Sequence, residues 1–217
     1  MERIPVYFMP GMAASPSIFD HIKLDQKLYQ SFYLEWIKPT HHEPIEQYAG
    51  RISELITCKN PVLIGVSFGA MIVQELSKLI TYRKLIIISS AKSHHEFPRR
   101  MKFARWTRMH KLLPTGLIRY AEIFAKYNFG IAHRKMKLYY TYLAVNDKKY
   151  LDWALNAIID WKQDQPINGV IHIHGDQDPV FPLKYIQSPL VVKNGTHIMI
   201  INRYRWFNEN LPRLINS

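Results

Sequence analysis

Apolar residues fall in short, dense blocks along this chain, separated by longer stretches in which they recur at helical spacing. Blocks at 4–9, 31–37, 61–66, 84–90, 169–174 and 189–193 are rich in Val, Ile, Leu, Phe and Tyr. They are continuous rather than alternating, the pattern of strands covered on both faces. The intervening stretches predict helices over about 16–29, 45–58, 68–80, 183–187 and 203–215. Strand and helix alternate, which predicts an α/β architecture with a mostly parallel sheet of about six strands. With 217 residues the chain suits one domain spanning 1–217 with a substantial core.

One interval breaks the rhythm. Almost eighty residues separate the strand ending at Ser90 from the one starting near Gly169, far more than a crossover helix needs. This insertion, about 92–165, reads as helical. Leu117, Tyr120, Phe124 and Tyr127 recur at helical spacing, as do Met136, Tyr139, Tyr140 and Leu143. Asp147 is placed to cap a helix carrying Leu151, Leu155, Ile158 and Ile159.

Chemistry enters at Gly65-Val66-Ser67-Phe68-Gly69, between the strand Pro61–Ile64 and the helical run from Ala70. Gly-x-Ser-x-Gly at a strand-to-helix turn is the nucleophile elbow of serine hydrolases. The serine is forced into a strained conformation, and bulk two residues to either side would collide with the crossing backbone. The hydroxyl then sits at the positive end of a helix. Serine needs a base, and the base an acid to orient it. Both follow downstream in the order this elbow uses. The strand Val170–His174 ends in Gly175-Asp176-Gln177-Asp178-Pro179, and carboxylates just past a strand's C-terminal end lie where parallel sheets build sites. Asp176 and Asp178 both qualify, although a residue at 176 more often caps its own turn. His197 follows the last strand in Asn194-Gly195-Thr196-His197. His172 and His174 lie on the strand itself and read as core or rim residues, with His174 packing beneath the acid loop.

Together these motifs make the chain similar to a small bacterial α/β-hydrolase over nearly its whole length. Gly175 to Pro182 resembles the family's acid loop, Gly-x-x-Asp-x-x-x-Pro, and Gly195-Thr196-His197 its histidine loop. The resemblance implies a Ser67–Asp178–His197 triad, with Asp178 as the acid. It implies an oxyanion hole formed by the backbone N–H groups of Phe68 and Met12. Pro10-Gly11-Met12 stands where the family usually has His-Gly-x, which keeps the backbone donor but removes a side chain that supports the loop. The family's first two strands are missing, and its insertion at this place is a helical lid. The implied activity is hydrolysis of a carboxylic ester or thioester through an acyl-enzyme. The alternatives are carbon–carbon cleavage or elimination on the same triad, and a ligand-binding protein that does no chemistry. No metal or organic cofactor is required.

Charge sharpens the question of partners. Residues 92–149 carry fourteen Lys and Arg against three acids, a net of +11 in a chain of +12. Arg99, Arg100 and Arg105 lie in the densest part. The plain reading is a solvated basic face. The functional reading is docking of an acidic partner. The family includes esterases that act on acyl chains borne by acyl carrier protein, and the resemblance to that group lies in architecture and charge. Anionic lipid is a further candidate, and nucleic acid is disfavoured because no binding motif accompanies the charge. His41-His42-Glu43 and His94-His95-Glu96 look like metal ligands, but neighbours in a loop rarely converge on one ion and no third ligand has suitable spacing. The single cysteine, Cys58, placed at the end of the helix from Ile45, forms no internal disulfide. No signal peptide is visible and no apolar run approaches the ~20 residues of a membrane span, so a cytoplasmic location is expected. The sequon at Asn194 falls in the histidine loop, where a glycan would obstruct the site.

Overall fold

The computed structural model describes residues 3–108 and 147–217. Among these residues six strands form one all-parallel sheet: β1 (Ile4–Met9), β2 (Tyr29–Tyr33), β3 (Val62–Val66), β4 (Lys84–Ile88), β5 (Ile171–Gly175) and β6 (Leu190–Val192). Their spatial order is β2-β1-β3-β4-β5-β6, so the chain starts inside the sheet, steps to one edge, and then crosses to the other. Six helices accompany them among the described residues: α1 (Ile45–Ser53), α2 (Phe68–Leu76), α3 (Arg99–Thr107), α4 (Lys148–Ile159), α5 (Met199–Asn202) and α6 (Tyr204–Asn216).

Side-chain alternation divides the core in two. Tyr7, Met9, Leu63, Leu85 and Ile87 face the layer built from α1, α2 and α4. Val6, Phe8, Ile64, Ile86, Ile88 and Ile173 face the layer of α5 and α6, where Phe207, Leu211 and Ile215 are fully buried. The continuous apolar blocks of the sequence are the consequence of this double covering. Every residue of α2 is buried, because it lies between the sheet and the helices α1 and α4. On β5, parity sends Ile173 to the α6 side and His172 and His174 to the other.

Strand positions follow the sequence pattern except at β2, which is Tyr29–Tyr33 where the pattern predicts 31–37, and several helices are shorter than their stripes. The helix expected over 16–29 is only a 3-10 turn, Pro16–Phe19. Asp25 then starts a separate turn: its carboxylate accepts the Lys27 N–H at 2.9 Å, and its carbonyl accepts the Leu28 and Tyr29 N–H groups. The Leu28 carbonyl is then claimed by the Ile4 N–H, which draws the chain into β2. The segment expected as a helix over 183–187 is likewise one 3-10 turn, Leu183–Tyr185. Helix α1 ends at Ser53, where the next N–H groups, of Leu55 and Ile56, bond three residues back, and this leaves Cys58 outside the helix and half-buried. Helix α4 starts as expected, with the Asp147 carboxylate accepting the Lys149 N–H at 3.0 Å. The stripes from Leu117 to Leu143 lie outside the described residues. No helix among the described residues is long and apolar enough to cross a membrane.

Candidate active site

Ser67 stands between β3 and α2 at φ 53 and ψ −119, a left-handed conformation that costs a serine about 1–3 kcal/mol. The surroundings impose it. The Ser67 N–H donates to the Ile88 carbonyl at 2.9 Å, and the Ser67 carbonyl accepts the Ser90 hydroxyl at 2.8 Å. A Cβ on Gly65 would lie 2.5 Å from the Gly69 carbonyl oxygen, and one on Gly69 would overlap the Pro10 carbonyl. Only glycine lets the helix start this close to the strand.

Three loops at the C-terminal ends of β3, β5 and β6 bring the sequence-predicted triad together. The His197 Nε2 lies 2.9 Å from the Ser67 hydroxyl. Its Nδ1–H donates to Asp178, 2.9 Å from one carboxylate oxygen and 3.2 Å from the other. The Asp178 carboxylate is fully buried, and it also accepts the backbone N–H groups of Val180 and Phe181 at 2.8 and 3.0 Å. Burial pushes this carboxyl up, but the His197 charge and hydrogen bond and the Phe181 N–H outweigh it, and the net shift is downward. Asp178 is thus the ionised partner of His197, whereas Asp176 is exposed. Gly175 and Gly195 hold the acid and histidine loops in direct backbone contact: a Cβ on Gly195 would lie 2.9 Å from the Gly175 Cα.

Behind the acid lies a second pair of histidines. His174 donates its Nε2–H to the Phe181 carbonyl at 2.7 Å and lies 3.7 Å from the Asp178 carboxylate. Its Nδ1 is 3.2 Å from the His172 Nε2. Burial first of all holds both imidazoles below their ordinary range, so they are neutral packing groups beneath the acid loop. The sequence placed His174 there. Its bond to the far side of the loop it supports had no signature in the sequence.

The loop after β1 is held by two aromatic side chains. The Trp36 indole N–H donates to the Gly11 carbonyl at 2.9 Å, and the Tyr150 hydroxyl accepts the Ala13 N–H at 3.2 Å. Trp36 also stacks on Phe68, with ring centroids 5.1 Å apart. The two segments that carry Met12 and Phe68 are therefore fixed against one aromatic group. Phe68 opens α2, so its N–H has no intrahelical acceptor. Sequence reasoning missed Trp36 and Tyr150, which come from distant segments. Beside Ser67 and His197 lies a small cleft lined by Gly11, Ile18, Ile200 and Ile201.

The basic residues singled out on α3 divide. Arg100 donates to the carbonyls of Pro179 and Val180, at 2.7 and 2.6 Å, and so ties α3 to the acid loop. Arg105 donates to the Trp161 carbonyl at 2.7 Å. Arg99 is exposed.

No protein-family model matches the sequence, and no curated protein matches it. Solved structures do. An enol-lactonase from Burkholderia xenovorans LB400 shares 14% identity at a TM-score of 0.71, over 100% of this chain and 93% of its own. A lipase-esterase related protein from Clostridium acetobutylicum shares 17% at 0.66, over 97% and 93%. An epoxide hydrolase from Bacillus megaterium shares 15% at 0.64, over 100% and 94%. The chain has the α/β-hydrolase fold.

Proposed function

We propose that this protein is a serine hydrolase that cleaves a carboxylic ester or thioester. One observation carries the reading: a single imidazole, His197, lies 2.9 Å from the Ser67 hydroxyl on one side and 2.9 Å from a buried carboxylate on the other. Similarity to hydrolytic enzymes of the same fold supports it.

In this reading Ser67 attacks the substrate carbonyl while His197 takes the hydroxyl proton. Asp178 holds the imidazole in the Nδ1–H tautomer and stabilises its charged form. The Phe68 and Met12 N–H groups receive the developing oxyanion. His197 returns the proton to the departing alcohol or thiol, then activates water to release the acid and free Ser67. The apolar lining contributed by Ile18, Ile200 and Ile201 suits a modest hydrocarbon group next to the reacting carbon.

The test is release of p-nitrophenolate from a short-chain p-nitrophenyl ester by wild type and by Ser67→Ala. Turnover by wild type and its loss in the variant are expected, and equal turnover by both would refute the assignment of Ser67.

An acyl group borne by an acidic carrier is the finer substrate proposal, supported by the basic balance of residues 92–149. It now centres on Arg99, since Arg100 and Arg105 are engaged with carbonyls of the chain itself. Arg99→Glu should slow hydrolysis of a carrier-linked acyl chain several-fold and spare the small ester. An unchanged rate on the carrier-linked substrate, or equal loss on both, would remove the carrier from the account.

A further inference from the structure

The long connection between β4 and β5 leaves the sheet through the 3-10 turn His94–Glu96 and returns past Asp164. The two ends meet: the His94 N–H donates to the Gln163 carbonyl at 2.9 Å. At this meeting His94, His95 and Asp164 each present one donor atom, and the three atoms lie within 4.8 Å of one another. The Asp164 carboxylate is 2.6 Å from His95 Nε2 and 4.0 Å from His94 Nε2. We propose that His94, His95 and Asp164 form a binding site for a divalent transition-metal ion of the zinc class, which fastens the two ends of this connection together.

Three features of the cluster fit that ligand. Two imidazoles and a carboxylate are the donor set that such ions take, with water completing a tetrahedron. The His94 Nδ1 is 2.9 Å from the Gln163 carbonyl, so it carries the proton and leaves the Nε2 lone pair turned to the cluster. A carbonyl holding the far nitrogen of a ligating histidine is the usual support of a metal centre, because it fixes both tautomer and ring. Finally, a tetrahedral ion with bonds near 2.1 Å needs donors about 3.4 Å apart. The present spacings bracket that value, and the His95 and Asp164 side chains are 57% and 63% exposed and free to adjust.

The sequence could not offer this set, and the departure from its expectation of no metal has a specific cause. The adjacent acid, Glu96, is buried and turned away, with its carboxylate accepting the N–H groups of Lys92 and Gln187 at 2.7 and 2.9 Å. The acid that does converge lies at position 164, across the whole connection. The pair His41-His42 has no such third partner among the described residues, since Glu43 is bound by Arg51 at 2.9 Å.

The experiment is titration of untagged protein with Zn2+ alone against a chromophoric chelator, followed by Co2+ absorption spectroscopy and thermal melts. The proposal expects one ion per chain, a Co2+ visible spectrum of the tetrahedral type, and a melting temperature that rises with Zn2+. His95→Ala and Asp164→Ala should each weaken binding by about tenfold or more and abolish the melting shift. His41→Ala should change neither. Failure to bind Zn2+, or binding that survives both substitutions, would overturn it. Both substituted residues are exposed, and circular dichroism of the metal-free variants separates loss of the ion from loss of the fold.

Discussion

At the scale of single residues, the site holds two different kinds of buried ionisable group. Asp178 is buried yet ionised, because His197 and two backbone N–H groups outweigh its desolvation. Asp178→Asn should preserve the fold and lower kcat by about 10⁴, as the amide imposes the wrong tautomer on His197. His172 and His174 are buried and neutral, held below the ordinary value of 6.5. Below that value the unfolded chain takes up protons that the folded chain refuses, so stability rises with pH there. Their contribution is complete above 6.5 and is lost as pH falls through their folded-state values. Urea denaturation midpoints between about pH 7 and about pH 4 should therefore decline with acid, and His172→Phe should make that decline shallower. An unchanged slope in the variant would contradict the buried-neutral assignment. The convergence of Ser67, Asp178 and His197 could be anticipated from the sequence because each sits in a short local motif whose glycines are fixed by close backbone contacts. The histidine pair could be placed but not explained, since its meaning depends on a carbonyl reached only through the fold of the acid loop.

At the scale of elements, strands were more legible than helices. The central strands β1, β3 and β4 are covered on both faces and show as near-continuous apolar blocks, whereas the edge strands β2 and β6 are part-exposed and less regular in sequence. Helix length was less legible because it depends on where separate local turns begin, such as the one at Asp25, and on where tertiary contacts stop. The loop after β1 shows the same limit: Trp36 and Tyr150 hold it, and no local pattern links those residues to Gly11 and Ala13. Trp36→Phe keeps the stacking on Phe68 and removes the N–H to Gly11. It should lower kcat by about tenfold through a loosened loop, with global stability reduced by only about 1 kcal/mol. An unchanged kcat would show that the indole is packing alone. Arg100→Ala frees the acid loop from α3 and should likewise reduce kcat more than it changes the denaturation midpoint.

At the scale of the whole molecule, two apolar layers clamp one parallel sheet, and the three loops that carry Ser67, Asp178 and His197 issue from the same end of it. The site therefore inherits its rigidity from the core. Phe207 on α6 is fully buried in the layer opposite α2. Phe207→Ala should cost about 3–5 kcal/mol in urea denaturation. If Ser67 is a nucleophile activated by His197, treating wild type, Ser67→Ala and His197→Ala with a fluorophosphonate and reading the intact mass and the modified peptide should give one phosphonyl adduct on Ser67 in wild type, none in Ser67→Ala, and labelling slowed by orders of magnitude in His197→Ala. An unlabelled wild type, or an adduct that persists in Ser67→Ala, would contradict it.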